Sequence, residues 1–445
     1  MKKNYLLGMA LMASLSFNSC DKEVVYVQDG NGVESVADGA QIITLQVENG
    51  GDGLATRAGR PLYSAEAKQT IENVKLWICD NAGKVVYIKE ISDWNTDGST
   101  VYTTGGHGRQ TTIELKGADK LAAGTYKIYA VGYSNSSAYT LTDVTNVAKE
   151  STFNENMVLP CSTAGEEIFA GQMELAVEKG KGFKKPVVLN RQVAGAFAYV
   201  KDIPFMEGAK YLKLVASAQN QSLVLGNFNS FDLTGNGSGN ANVKYVVNGT
   251  NGKSGSETYV ISTIDLNKWF TAIKDDNGDN LIDAGENWKN PCRPSSSPAA
   301  GTYPTFQKGS AFGGEFVIPF AHVDGKQTLT LQLTNAGGKV LRSWKVNLGS
   351  TDEQLKQTIT CWNSGSTNWS TPLSGELANT YSLVRNHLYG IGTRMNDEAN
   401  PEKPGVDPDP NPENPNDKPE SLNNKQELVL KVNDNWEVIH GMELD

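Results

Sequence analysis

The residues best spaced for chemistry form an acidic loop in the second half of the chain. Counted from Asp275, side-chain oxygens fall at positions 1, 3, 5, 9 and 12, and position 7 offers a backbone carbonyl. This is the spacing of the EF-hand loop, in which oxygen ligands surround Ca²⁺. The predicted metal ligands are Asp275, Asn277, Asp279, Leu281, Asp283 and Glu286.

The flanking sequence bears on whether this loop binds calcium. A helix capped by Asp265 is predicted before it, because apolar residues recur at i, i+3, i+4 and i+7 in Leu266, Trp269, Phe270 and Ile273. Asn280 stands where such loops usually carry Gly, and Asn tolerates the left-handed backbone conformation. No helix is predicted after the loop, since Pro291 follows closely. The loop is therefore either a calcium site or an unoccupied acidic turn.

Catalysis finds no comparable pattern in the sequence. Arg191 precedes an apolar run and is predicted to be a structural ion-pair or hydrogen-bond partner rather than a substrate clamp. The net charge of -10 argues against a surface that neutralises nucleic-acid phosphates. The four histidines show no metal-ligand spacing to one another: His107, His322, His387 and His440. The sequence thus predicts no enzyme, no catalytic residue and no cofactor other than calcium.

The start of the chain has the features of a secretion signal. Lys2 and Lys3 precede a mostly apolar stretch, residues 5–17, which is too short to span a bilayer as a mature helix. Cys20 follows and is predicted to be the acyl acceptor of a lipoprotein; the alternative is an ordinary signal peptide in which Cys20 is incidental. No later stretch reaches the about 20 apolar residues that a spanning helix needs. A single acyl chain holds weakly, so membrane attachment is expected to be transient.

Four cysteines remain beyond Cys20, and their spacing resembles no zinc motif. In an exported protein four cysteines can pair in three ways or stay reduced. Both outcomes, two disulfides or four thiols, stay open for Cys79, Cys161, Cys292 and Cys361.

The elements that must position these residues are predicted to be β-strands. Short segments with alternating apolar residues recur between turns, and the 45 glycines suit a protein with many turns. One hairpin is predicted over residues 74–91 with its turn at 80–84, and a second of the same design over 329–348 with its turn at 335–339. The repeated design indicates two related β-sandwich domains.

The C-terminal region divides into a linker and a strand. Residues 397–424 hold seven prolines among Asp, Asn and Glu, and are predicted to form an extended linker reaching on the order of 80 Å. Residues 425–445 alternate apolar and polar side chains, which indicates one long strand, or two in line, with one face to be buried. A lone strand is not stable in water, so this one must dock on its own chain or on another. Its apolar face comprises Leu428, Leu430, Val432, Trp436, Val438, His440, Met442 and Leu444.

A second strand, near the N-terminus, is a candidate for exchange with this tail. Residues 41–47 are predicted to form a strand with three alternating aliphatic residues on one face. The Gly-rich stretch beyond it contains Arg57 and Arg60, and exposed stretches of this kind are where proteases cut. Cleavage after Arg57 would make Ala58 the first residue; Arg60 is the alternative. The released strand would leave a groove that the C-terminal strand of a neighbour can fill.

These features, taken in order along the chain, resemble the type V fimbrillins, the protease-assembled pilins of Bacteroidales, and especially the major shaft subunit of short fimbriae. No single motif is specific, but their order is, and together they span nearly the whole chain. The matching pieces are Cys20, the cleavage region at 56–59, residues 188–194 and 384–389, the linker segment 411–416 and the tail residues 436–438.

The resemblance implies an all-β fold with two transthyretin-like Greek-key β-sandwich domains, an Arg-specific cleavage, and strand exchange between subunits. The implied boundaries are a signal peptide at 1–20, a propeptide at 21–57, sandwiches at 58–183 and 184–396, the linker at 397–424 and a donor strand at 425–445.

The resemblance also implies a role. The chain has both a cleavage arginine and a donor tail, so it is expected to be an outer-membrane lipoprotein precursor that becomes a shaft subunit of a cell-surface fimbrium, supporting adhesion and biofilm. The implied partners are further copies of this chain, anchor and tip pilins and the protease, with no nucleic acid. The alternative is a tip or accessory adhesin lipoprotein that binds a glycan or another host ligand.

Overall fold

Nearly all regular structure in this protein is β-strand, which confirms the predicted all-β class. The computed structural model describes residues 26–28, 34–36, 39–48, 71–102, 108–161, 166–226, 245–282, 285, 287–291, 306–320, 329–348, 358–374, 383–386, 388–392, 418–423 and 427–433.

Eleven strands lie in the first half of the chain: β1 (Tyr26–Gln28), β2 (Glu34–Val36), β3 (Gln41–Glu48), β4 (Asn73–Asp80), β5 (Val85–Ile91), β6 (Thr100–Tyr102), β7 (Gly108–Leu115), β8 (Gly124–Tyr133), β9 (Val158–Pro160), β10 (Phe169–Val177) and β11 (Phe183–Arg191). The later strands are β12 (Ala194–Lys201), β13 (Ala209–Gln219), β14 (Ser222–Val224), β15 (Tyr245–Val247), β16 (Gly249–Thr250), β17 (Lys253–Asp265), β18 (Ala311–Val317), β19 (Leu329–Asn335), β20 (Val340–Leu348), β21 (Thr358–Asn363), β22 (Asn368–Ser374), β23 (Leu388–Ile391), β24 (Glu420–Ser421) and β25 (Glu427–Asn433).

Helical structure among the described residues is short. It consists of α1 (Thr142–Thr145), α2 (Leu266–Trp269) and a 3₁₀ turn at Gly117–Asp119. The helix predicted to run to Ile273 is therefore only one turn long. Asp265 caps it as predicted, accepting a hydrogen bond from the Asn267 N–H at 3.0 Å, but Phe270 is extended and pairs with Trp288 in an isolated β-bridge. No helix in the described part of the chain is long and apolar enough to cross a membrane.

The first sandwich is one hydrogen-bonded path of strands that folds over on itself. Its order is β5-β4-β8-β10-β11-β3-β7-β6, and β10 meets β11 through only two residue pairs. That narrow junction lets the sheet half containing β4 and β8 lie against the half containing β3 and β7, because alternate residues of both point inward. Apolar side chains from both halves fill the core between them.

The second sandwich has the order β17-β13-β19-β20-β25-β23-β12-β18, with β24 beside β12. Both predicted hairpins are confirmed, as β4–β5 in the first sandwich and β19–β20 in the second. Their turns match closely: Gly83 donates to the Asp80 carbonyl at 2.9 Å, and Gly338 donates to the Asn335 carbonyl at 3.0 Å. Each of these glycines has a positive φ, which glycine adopts at no steric cost.

The change from one sandwich to the other falls later than the predicted boundary at residue 184. Residues 186–200 form two strands: β11 pairs with β3 in the first sandwich, and β12 pairs with β18 and β23 in the second. Only Gln192 and Val193 lie between them, and both are buried. An apolar run alone does not reveal such a division, because both strands have buried faces.

The two sandwiches share an interface. β14 pairs with β9 from the first half and with β16 from the second, so a small three-stranded sheet crosses between the domains. A third apolar core contains Trp77 and Tyr129 from the first half together with Leu223 and Ile318 from the second. The domains therefore pack directly on each other.

Candidate functional site

Strand β3 occupies an internal position in the first sandwich. It pairs in parallel with β11 from Gln41 to Val47 and antiparallel with β7 over its whole length. Ile43, Leu45 and Val47 are 0 % exposed. The predicted N-terminal strand with a buried aliphatic face is thus confirmed, and we call the space it fills between β7 and β11 the β3 slot.

The beginning of β3 is held from both sides. The Gln41 side chain donates to the Leu121 carbonyl at 2.9 Å and accepts from the Leu121 N–H at 2.7 Å. On the other side, the Phe183 N–H donates to the Ala40 carbonyl at 2.8 Å. Lys120 adds a hydrogen bond from Nζ to the Gly39 carbonyl at 2.9 Å. These contacts fix the register of β3, and the pattern of alternating residues alone could not have identified them.

The predicted processing residues lie outside the described part of the chain. Cys20, Arg57, Ala58 and Arg60 are all in this group. β3 ends at Glu48 and β4 begins at Asn73, so the segment containing the two arginines connects these strands. Lipidation and cleavage stay predictions.

The C-terminal strand β25 docks on its own chain. Its first residues pair in parallel with β20 through 427–430, and its last residues pair antiparallel with β23 through 431–433. Leu428 and Leu430 are 1 % and 0 % exposed in the second core. Of the two alternatives, docking on its own chain or on another, this segment takes the first, because its aliphatic face completes the second sandwich.

Of the other predicted donor residues, the structure describes only Val432. Val432 lies in β25, with its backbone opposite Tyr389. The remaining predicted donor residues are outside the described part of the chain: Trp436, Val438, His440, Met442 and Leu444. Exchange of the tail between subunits stays a prediction.

The end of the predicted linker is also docked. β24 pairs in parallel with β12, the Leu422 N–H donates to the Lys201 carbonyl at 2.9 Å, and the Leu422 side chain is 0 % exposed. Residues 418–423 thus belong to the second sandwich rather than to the linker at 397–424. A single leucine in a polar segment was the only sequence signal for this.

Arg191 forms an ion pair, one of the two structural roles that the sequence predicts for it. Its guanidinium contacts Glu167 Oε1 from Nε at 2.7 Å and from Nη2 at 2.5 Å, and both side chains are at most 1 % exposed. Burial lowers the pKa of Arg191, and the Glu167 carboxylate opposes that effect. The partner Glu167 was not predicted; it immediately precedes an apolar strand, which was its only signal.

A second buried guanidinium lies at the junction between the two domains. Arg385 donates from Nη1 to the Gly226 carbonyl at 2.8 Å and to the Gln192 side-chain oxygen at 3.2 Å. Asn248 donates to the Gln192 carbonyl at 3.1 Å, and the Asn386 N–H donates to the Val193 carbonyl at 2.9 Å. These side chains are buried. Their contacts give segments 188–194 and 384–389 a structural role.

The acidic loop forms a tight turn around its own backbone amides. Asp275 accepts from the N–H groups of Gly278 at 2.8 Å and Asn280 at 2.9 Å, and Asp279 accepts from Leu281 at 2.8 Å. Asn277 accepts from the Asp279 N–H at 2.9 Å. Asn280 has a φ of 63°, the left-handed conformation expected at that position.

Only part of the predicted calcium loop lies among the described residues. Asp283 and Glu286 lie outside the described residues, and the helix that would precede an EF-hand loop is a single turn. In the described part of the chain, no group of three or more His, Cys, Asp or Glu side chains is placed to hold a metal ion. Calcium binding by this loop stays a prediction.

The remaining residues that could do chemistry are cysteines and histidines. Cys79 is a buried free thiol and Cys361 a half-buried one, Cys161 is buried, and Cys292 lies outside the described residues. Burial raises the pKa of Cys79 to about 12, with Asp80 adding to the effect. His107, His322, His387 and His440 also lie outside the described residues.

Comparison with solved structures finds similar β-folds in fimbrial proteins. A fimbrial assembly protein from Parabacteroides distasonis has 12% sequence identity and a TM-score of 0.36, over 82% of this chain and 93% of that one. The tip fimbrial protein Mfa3 of Porphyromonas gingivalis has 11% identity and a TM-score of 0.36, over 81% and 96%. The anchor protein Mfa2 of Porphyromonas gingivalis has 11% identity and a TM-score of 0.31, over 77% and 100%.

Similarity at this level does not by itself define a shared family or function. No protein-family model and no curated protein sequence matches the chain.

Proposed function

We propose that this chain is a non-catalytic structural subunit of a cell-surface fimbrium, in the shaft, and that it polymerises by strand exchange. The observation that carries the proposal is the position of β3, which is internal to the first sandwich but joined to it covalently only through residues 49–70. One cut in that segment, after Arg57, would leave β3 bound by non-covalent contacts alone.

Loss of β3 would be costly to the subunit. Three fully buried aliphatic side chains, at about 1.5–3 kcal/mol each, give roughly 5–9 kcal/mol of burial. This is of the order of the whole stability of a domain, which is about 5–15 kcal/mol. β7 and β11 would also lose backbone hydrogen bonds along their facing edges. A cleaved subunit therefore gains much by accepting another strand in the β3 slot.

The segment least costly to donate lies beyond β25. Extracting β25 would expose Leu428 and Leu430, which are buried in the second core. Residues 434–445 continue the apolar alternation and include Trp436 and Val438. In this proposal β25 anchors the tail on its own subunit, and residues 434–445 enter the β3 slot of the next one.

The proposal includes export and processing. A precursor acylated on Cys20 would reach the outer membrane, and an Arg-specific protease would then release the propeptide. Further copies of this chain fill the shaft, with anchor and tip subunits at its ends. The terminal strands support this order, because the N-terminal strand must leave before the slot is available.

One observation favours a second function, that of an adhesin that binds a glycan. Trp362 and Trp369 face each other across the β21–β22 hairpin, with ring centroids 5.2 Å apart, and both are half-buried, whereas the other described tryptophans are buried. Partly exposed aromatic rings among polar residues can stack on sugars. Glycan-array binding that is lost in Trp362→Ala, by a chain that stays monomeric after cleavage, would favour this function.

The test of the shaft function is assembly triggered by cleavage. Wild-type precursor treated with an Arg-specific protease is expected to form polymers that survive denaturing electrophoresis without boiling. The double variant Arg57→Ala, Arg60→Ala should stay monomeric, with the same melting temperature as the wild-type precursor. The matched control replaces Lys149 and Lys308, exposed lysines in ordered parts of the two domains, with Ala. Polymers formed by the double arginine variant, or a persistent wild-type monomer after complete cleavage, would contradict the proposal.

A further inference from the structure

The net charge of this chain is distributed unevenly between its terminal segments and its two sandwiches. Residues 397–445 contain 13 acidic and 4 basic residues, a net charge of −9. Residues 21–57 contain 7 acidic and 2 basic residues, a net charge of −5. Residues 58–396, which form most of both sandwiches, contain 30 acidic and 32 basic residues, a net charge of +2. The acidic excess of the protein therefore lies in its two terminal segments.

Lysines surround the end of the β3 slot at which β3 begins. Lys116 and Lys120 follow β7 on one side, and Lys179, Lys181 and Lys184 lie in the turn before β11 and at its start on the other side. We call these five lysines the slot mouth. Four are exposed and Lys184 is half-buried.

The lysine-bearing segments that follow β7 and precede β11 both lie beside Gly39 and Ala40, the residues at which the chain enters β3. Lys120 Nζ donates to the Gly39 carbonyl at 2.9 Å, while Phe183 donates to the Ala40 carbonyl at 2.8 Å. A Cβ atom added to Gly39 would lie 3.9 Å from the Gly180 carbonyl oxygen. The turn at 179–182 and the segment at 116–120 therefore flank the residues that enter the slot.

The acidic residues on the same segments offset only part of this charge. Lys116 pairs with Glu114 at 2.8 Å and Lys181 pairs with Glu178 at 2.6 Å, and Asp119 is the third acidic group. Five lysines against three acids leave the mouth with a net charge of +2. Exposed pairs of this kind are weak and exchange readily with other charges.

The propeptide already places acidic sequence at this mouth. β2 pairs with β11 at one position, where Glu34 lies opposite Lys184. Once the propeptide cleaved after Arg57 leaves, Glu34 and the carbonyl that Lys120 contacts leave with it. The lysines of the mouth would then lose these contacts at the moment when the slot becomes open.

We infer that the slot mouth attracts the acidic C-terminal segment of a second copy of this chain and thereby accelerates its insertion. This inference rests on the proposed strand exchange. The slot mouth, with a net charge of +2, and residues 434–445, with four acidic and no basic residues, attract each other from one subunit to the next, whereas two such tails repel. Complementary charge raises association rates by about 10- to 1,000-fold at low salt, and the effect is screened over about 10 Å at 0.1 M salt. The propeptide holds the mouth until cleavage, so attraction begins only when exchange is possible.

The test measures by light scattering how fast the full chain forms polymer after Arg-specific cleavage. The rate is compared at 20 mM and 300 mM sodium chloride, because screening becomes strong between these concentrations, at about 0.1 M. Wild-type assembly should slow strongly with salt. The variant Lys120→Glu, Lys179→Glu should assemble about tenfold more slowly at low salt and lose most of its salt dependence. Its final polymer yield should equal that of wild type, because neither side chain lies in the buried slot.

The control is Lys149→Glu, Lys308→Glu, which makes the same charge change at exposed lysines away from the mouth. Melting temperatures of all three precursors verify that folding is intact. If the Lys120, Lys179 variant assembles at the rate of the control and with the same salt dependence, the slot mouth does not attract the tail. If wild type is cleaved and forms no polymer, strand exchange itself fails and this inference fails with it.

Discussion

Replacing Leu45 with Ala should lower the melting temperature of the precursor but not that of the polymer. Leu45 is 0 % exposed at the centre of β3, and removing a buried leucine costs about 2–5 kcal/mol. For domains of this size about 1 kcal/mol corresponds to roughly 2–4 °C, so a cost of about 3 kcal/mol should lower the melting temperature by about 6–12 °C. The precursor is measured in the uncleavable Arg57→Ala, Arg60→Ala background.

After cleavage and assembly the effect of Leu45→Ala should vanish. Strand exchange removes β3, so the polymer would no longer contain the substituted residue. Leu76→Ala is the matched control, because Leu76 is 0 % exposed in the same core but lies in β4, which stays in the mature subunit. That variant should destabilise both precursor and polymer. A Leu45→Ala polymer that melts as early as the Leu76→Ala polymer would refute strand exchange, since β3 would still be in place.

Four further outcomes are expected. Truncation after Asn433 should leave the precursor melting curve unchanged and abolish polymerisation, whereas truncation before β25 should lower the melting temperature of the second sandwich; equal melting of both truncations would contradict the docking of β25. Arg191→Met should cost about 3–5 kcal/mol in urea unfolding because Glu167 is left buried without its charge partner, and adding Glu167→Leu should recover most of that loss. If the acidic loop binds calcium, chelation should lower the melting temperature and Asp279→Ala should abolish that sensitivity; identical curves with and without chelator would make it an acidic turn. Burial raises the pKa of Cys79 from 9.0 to about 12, so the unfolded thiol ionises at a lower pH than the folded one. The stability of the protein should therefore fall as pH rises from about 9 to 12, and a Cys79→Ala variant should lose less stability over that range.

The sequence was most informative where a local pattern determines the structure. The two hairpins were predicted from alternating residues and turn chemistry, and both turns close on the expected Asp80 and Asn335 with a glycine three residues later. β3 was predicted in the same way. In each case the alternation and the turn residues lie within one short segment, so that segment alone predicts the strand or hairpin.

Predictions failed where long-range pairing decides the outcome. The apolar run at 186–200 contains no sign that its two halves join different sandwiches. The helix predicted from the spacing of Leu266, Trp269, Phe270 and Ile273 ends after one turn, because Phe270 pairs with Trp288 instead. β25 has the alternation of an exchangeable strand, and only its pairing with β20 and β23 shows that its first part belongs to its own subunit.

The candidate site was predicted in outline and completed by the structure. The strand and its buried face followed from the sequence, but the slot mouth did not, because Lys120 and Lys179 are distant in the sequence. Lys120 contacts Gly39, and Gly180, the neighbour of Lys179, lies beside the same glycine. The Arg191 ion pair was predicted without its partner for the same reason.

The direct packing of the two sandwiches has a mechanical consequence. Between β11 and β12 there are only two residues, both buried, and the domains are further joined by β9–β14 pairing. Arg385 holds the first of these two residues, Gln192, by a hydrogen bond. A pulling force on one domain therefore reaches the other through strands and side chains that share the load, with no slack segment to extend first. A chain of such subunits should bend little within each unit, and its compliance should be concentrated at the joints where one molecule's tail enters the next.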